Sequence, residues 1–149
     1  MTARTATRKA WGTTEPLIRE PHLHADRIIV KPGGFCSIHR HASKANVFHV
    51  LAGSLMVSQL AVLNASAYKH TLCAGQSRSI EAGVWHQFWC YTACEAIEVY
   101  LPPGMEQIVD AEDIERHPAC KLGGIVTSSV RLDDMWAKAF GAVLAVVRS

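Results

Sequence analysis

Between Gly33 and Gly53 the chain carries His39 and His41, one residue apart, and then Asn46. Further on, the segment VWHQFWC holds His86. Imidazole is the side chain that works as a neutral metal ligand near neutral pH. Successive side chains of an extended strand point to opposite faces, so His39 and His41 share a face, together with Phe35 and Ser37. By the same rule Asn46, Phe48 and Val50 share one face, and Val47 and His49 the other. An inward Phe48 brings Asn46 inward and turns His49 out. In the later segment His86, Phe88 and Cys90 share a face. Three histidines are thus expected to converge inside one fold. They suit Zn, Fe, Mn or Ni and leave coordination positions open to water or a ligand.

The elements that must position them are strands. ADRIIVKPGG, NVFHVLAGSLMVSQLAVL, SAYKHTLCAG, SRSIEAG, VWHQFWCY and EAIEVYLPPG are short apolar or alternating runs closed by Gly, Pro or Ser. Turn signals every 8 to 12 residues or so favour a sandwich or barrel over βαβ units. The tail differs: Leu132, Met135, Trp136, Ala139, Phe140, Val143, Leu144 and Val147 recur at steps of three and four, which predicts an amphipathic α-helix. The expected organisation is an N-terminal arm over 1–24, a barrel over 25–116 and a C-terminal extension with the helix over 117–149. The apolar stripe of that helix needs a cover, so a homodimer is expected.

At 149 residues the chain is sized for one domain with a real core. Its net charge of +2 comes from interspersed charges and only 7% of residues are aromatic, which gives no footprint for nucleic acid. No run approaches the ~20 apolar residues of a membrane span, and the start lacks the apolar core of a signal peptide, so a cytoplasmic protein is expected. Five cysteines without a C-x-x-C pair read as free thiols in a reducing compartment.

Taken in order, Gly33, His39, His41, Asn46 and Gly53 resemble the first motif of the cupin superfamily, with Asn46 where the motif usually has Glu. Gly75, Gly83 and His86 resemble the second, with Glu81 in place of Pro and Cys90 in place of Asn. The resemblance implies an all-β double-stranded β-helix, a jelly-roll-like barrel, with His39, His41 and His86 as ligands of a divalent metal. Asn46 is then a fourth ligand or a substrate contact. RKAWG at 8–12, RIIVKPGG at 27–34, IEVY at 97–100 and EDIER at 112–116 are similar to segments in the cupin domain of mannose-6-phosphate isomerases and GDP-mannose pyrophosphorylases. That likeness spans roughly residues 8–116. Nothing like a nucleotidyltransferase domain accompanies it, so pyrophosphorylase activity is not implied.

What the resemblance implies is a metal-dependent sugar-phosphate isomerase, or a protein that binds a carbohydrate or sugar-phosphate without turning it over. In such an isomerase a base moves a proton between adjacent carbons. Glu81 and Glu98 are the acids near motif positions. Lys44 and Arg78 are cations suited to a phosphate or carboxylate, and Phe88, with Trp11, Trp85 and Trp89, offers stacking surface for a sugar ring. Two departures pull away from the isomerase: Asn46 supplies no charge, and Ser37 stands where these isomerases often carry Gln. A three-histidine Fe(II) dioxygenase and a non-catalytic regulatory cupin are the alternatives. For Cys90 a small buried hydrophobe is the ordinary reading; the spacing of His22 and His24 permits a shared ligand on an extended strand, though a polar arm explains them as well, and His70 and His117 have no ligand partners at telling spacing.

Overall fold

The computed structural model describes residues 5–61, 66–118 and 123–126. Its strands are β1 (Thr7–Lys9), β2 (Gly12–Glu20), β3 (Leu23–Val30), β4 (Gly34–Phe35), β5 (His39–Arg40), β6 (Ala45–Ala52), β7 (Ser54–Ala61), β8 (Ser66–Cys73), β9 (Ser77–Ile80), β10 (Trp85–Trp89), β11 (Cys94–Leu101), β12 (Glu115–Arg116) and β13 (Gly124–Ile125). They form two antiparallel sheets. The first has six strands in the order β1-β2-β3-β11-β6-β9. In the second, β10 pairs with β4 and β5 on one side and with β7 on the other, β8 continues from β7, and β12 and β13 extend β5 and β4. Among the described residues there is no α-helix, and no helix long and apolar enough to cross a membrane. The helix expected over 131–147, and with it the basis for a homodimer, lies outside the described residues.

The core sits between the two sheets because each strand turns alternate side chains inward. Ile28 and Val30, Phe48 and Val50, and Ala96 meet Leu55 and Val57, Leu72 and Phe88 there, all nearly or fully buried. Each large apolar side chain so buried contributes about 1.5–3 kcal/mol. The second sheet also has a covered outer face, where Trp89 packs with Phe35, Met56 and Val126. That is why all five residues of β10 are buried although only alternate ones face the core.

Phe35 overturns the expected parity. It lies against Trp89 on the outer face, whereas Cys36 belongs to the inner core. Residues 36–38 are not in strand conformation, and this break shifts the alternation before His39. Within residues 5–24, β1 pairs with β2 and β2 runs along β3 as part of the first sheet. Gly124 and Ile125, in the expected C-terminal extension, pair with β4.

The motif glycines turn the chain for different reasons. Gly33 has φ +74°, and a Cβ there would sit 1.8 Å from the Val126 carbonyl oxygen. Gly75 has φ +86° with nothing within 4 Å of that position. Gly75→Ala is therefore expected to cost only the left-handed penalty of ~1–2 kcal/mol. Gly33→Ala adds a backbone collision and should cost roughly 3 kcal/mol or more. Thermal unfolding checks the contrast at ~2–4 °C per kcal/mol for a chain of this size. Equal shifts for the two variants would contradict it.

Candidate metal centre

β5 and β10 are hydrogen-bonded with His39 directly opposite His86, so the two imidazoles project side by side, ring centroids 4.3 Å apart. His41 follows β5 and lies 5.1 Å from His39 and 5.4 Å from His86, centroid to centroid. All three are buried, and their ligand nitrogens lie within 4.8 Å of one another. The sheet pairing, not proximity in sequence, brings them together.

Each ring is held by the same device. Nδ1–H donates to a backbone carbonyl: Ser37 O at 2.8 Å for His39, Asp113 O at 2.6 Å for His41 and Val84 O at 2.9 Å for His86. A carbonyl only accepts, so the proton is on Nδ1 and each Nε2 carries a lone pair able to bind a cation, that of His86 facing the Asn46 amide nitrogen. Burial pushes the His39 pKa well below its ordinary value, helped by the adjacent His86 and His41. Burial lowers His86 to about 3 and lowers His41 as well. The cluster is neutral at ordinary pH, the protonation state that metal binding requires.

Asn46 on β6 faces the cluster from the other sheet. Its Nδ2 lies 3.4 Å from His86 Nε2 and donates to Glu98 Oε1 at 3.0 Å. Asn46 Oδ1 and His41 Nε2 are buried acceptors without a hydrogen-bond partner. Leaving buried polar atoms unpaired is costly, and a cation held by the imidazoles would satisfy His41 Nε2. Three oriented imidazoles thus fit a divalent transition metal.

Glu98 on β11 is buried, and the Tyr100 hydroxyl also bonds its carboxylate. Burial raises the Glu98 pKa to about 7 against those two hydrogen bonds. Burial also holds the Tyr100 hydroxyl well above its usual range, with the Glu98 charge adding to the effect. Ser37, His39, Glu98 and Tyr100 form the inner wall of a cavity of about 330 Å³, with Trp11, Phe88 and Asp26 beside them and Lys9 and Arg116 among the remaining lining residues.

The other expected contacts divide. Phe88 lines this cavity and meets Trp11 edge to face at 5.0 Å. Trp85 and Trp89 are turned away: Trp85 lies under the Arg40 guanidinium, and Trp89 packs with Phe35 and Met56. Lys44 is buried, its Nζ donating to Asp110 O at 2.6 Å and lying 4.8 Å from the Tyr100 ring centre, so it is engaged by the fold beside the site. Arg78 lines a separate groove with Lys69 and His70, and Glu81 is exposed. His49 does face away from Asn46 and bonds Ser77 Oγ at 2.7 Å. Cys90 is a fully buried thiol that burial pushes up to about 11.

Asp113 carries a role that its type and spacing do not announce. Its carboxylate accepts from the backbone amides of Ala42 and Ser43 at 2.8 and 2.7 Å, and from Ser43 Oγ at 2.8 Å, while its own carbonyl holds His41. Partial burial works against the charge, but those hydrogen bonds win and hold its pKa below the ordinary value. The only sequence signal is the EDIER segment that contains it.

A small antiparallel sandwich with three imidazoles gathered between its sheets defines a cupin with a candidate metal centre. Residues 26–100 match the family model described as the cupin domain, and the chain belongs to that family. No curated protein matches it in sequence. Among solved structures it is similar to oxalate decarboxylase from Bacillus subtilis at pH 4.6, with 13% identity and a TM-score of 0.65 over 93% of this chain and 34% of that one. The E162A mutant of that enzyme gives 14% and 0.66 over 93% and 35%. KdgF from Halomonas sp. gives 14% and 0.58 over 68% of this chain and 89% of that one. The chain thus spans about a third of the length of the decarboxylase, and at these identities the likeness is one of fold.

Proposed function

We propose that this cupin holds a divalent metal on His39, His41 and His86 and binds a sugar or sugar-phosphate in the adjoining cavity, as a member of the mannose-6-phosphate isomerase-like group. The observation that carries the reading is the set of three buried imidazoles with every Nδ1 tied to a carbonyl, His39 among them lining a cavity of about 330 Å³. A metal bound there supplies Lewis acidity to a ligand oxygen. The chain does the rest. Lys9 and Arg116 offer positive charge to a phosphate, Trp11 and Phe88 offer ring surface, and Ser37, Asp26 and Glu98 offer partners to hydroxyls. A second reading, a three-histidine Fe(II) dioxygenase, is favoured by one observation: the amide of Asn46, not a carboxylate, faces the cluster.

Protein purified without chelator should contain about one divalent metal per chain, and titration calorimetry should show binding of mannose 6-phosphate that weakens in Lys9→Ala/Arg116→Ala. Oxygen uptake by the iron-loaded protein with thiols or diketones would move the assignment to the dioxygenase. Failure to bind any divalent metal would end both readings.

A further inference from the structure

Glu98 is the one acidic side chain among the described residues that is buried. The pairing of β11 with β6 explains how it reaches the centre. Tyr100 lies opposite Asn46 and Glu98 opposite Phe48, so Glu98 and Asn46 are diagonal neighbours on the inner face, a distance long side chains span. The result is a chain of contacts from carboxylate to amide to imidazole: Glu98 Oε1 to Asn46 Nδ2 at 3.0 Å, and Asn46 Nδ2 to His86 Nε2 at 3.4 Å.

An ionised carboxylate only accepts hydrogen bonds, so it fixes which end of the amide it meets. Nδ2 must face Glu98, and Oδ1 is the amide atom left without a partner. Enclosing a carboxylate is costly unless a positive charge compensates it. Among the described residues no ion pair engages Glu98. The neighbouring acids are committed elsewhere, Asp26 to Arg19 and Asp113 to the amides of Ala42 and Ser43. The three imidazoles are neutral donors and bring no negative charge to a dication.

We propose that Glu98 is the positioning residue of the metal centre: from the strand beside Asn46 it locks the amide with its oxygen free, and it supplies the negative charge that three neutral imidazoles lack. This rests on the metal reading above and adds to it a residue outside the three histidines. It also accounts for a buried carboxylate that core packing alone would exclude. Outer partners of this kind typically contribute 10- to 100-fold to metal affinity.

The test uses Co²⁺ alone, titrated into the metal-free full-length chain and read by calorimetry and by its visible absorption. Glu98→Gln keeps the size of the side chain and removes the charge. It should bind Co²⁺ about 10- to 100-fold more weakly than wild type, with an altered visible spectrum. Asn46→Asp/Glu98→Gln, which moves the carboxylate one contact inward, should recover most of the affinity. The metal-free Glu98→Gln protein should unfold at pH 8 no earlier than wild type, because the charge serves the metal and not the fold. Equal Co²⁺ affinity in wild type and Glu98→Gln would overturn the proposal, as would a double variant no better than the single, or a metal-free Glu98→Gln that fails to fold. Wild type that binds no Co²⁺ would overturn the metal reading and this proposal together, which separates the two failures.

Discussion

His86→Ala is expected to lower divalent-metal affinity by a hundredfold or more, and His49→Ala to change it by less than twofold. Both residues are histidines on largely apolar strands, and only the fold separates them. His86 sits on the central strand of the second sheet, directly opposite His39, with its Nδ1 proton tied to Val84 O. Its removal leaves two imidazoles, whereas even the partners of ligands are worth 10- to 100-fold. His49 faces the outside of the first sheet and bonds Ser77 Oγ. Zn²⁺ titration calorimetry with circular dichroism as the folding control checks both. Wild-type affinity in His86→Ala would remove that residue from the centre, and a large loss in His49→Ala would mean that affinity reports general stability.

The parts of this site that can be read from sequence are those where side-chain alternation runs undisturbed. Asn46, Phe48 and Val50 alternate inward along β6, and His86 and Phe88 along β10, as the period of two requires. Phe35 escapes the rule because the chain between β4 and β5 leaves the strand conformation. β2 is hidden for another reason. GTTEPLIRE has no apolar alternation and is mostly half-buried or exposed, so its place in the sheet follows from pairing with β3 and not from its own composition.

Glu98 is the instructive case. In EAIEVYL the more apolar face is Ile97 and Val99, and a hydrophobicity rule would turn it inward. The structure does the reverse: Ala96 and Glu98 are buried, and Ile97 and Val99 only half-buried. Local pattern and tertiary placement disagree where a site overrides the core, and such conflicts concentrate at functional positions. Arg78 and Glu81 show the opposite limit. Their closeness to motif residues in sequence says nothing of the turn that leaves Glu81 exposed and of the strand that carries Arg78 to another groove.

Acid should destabilise the metal-free protein steeply, beginning below pH 6.5. His86 has its pKa lowered from 6.5 to about 3 by burial, and His39 and His41 are lowered in the same direction. Below pH 6.5 the unfolded chain takes up protons that the folded triad refuses, so unfolding gains on folding with every step downward. At about 1.4 kcal/mol per pH unit, His86 alone accounts for up to roughly 5 kcal/mol by pH 3. Glu98 runs the other way. Its pKa is raised from 4.5 to about 7, so its contribution is fully present below pH 4.5 and is lost as pH rises through 7, up to roughly 3 kcal/mol. From pH 7 down to 6.5 Glu98 gains alone, and below that three histidines outweigh it. The metal-free protein should therefore be most stable between about pH 6 and 7. Urea midpoints of metal-free protein from pH 4.5 to 8 measure this, and Glu98→Gln should remove the decline on the alkaline side while leaving the acid side in place. A midpoint that stays constant from pH 7 to pH 5 would mean that the triad is not enclosed as neutral imidazole.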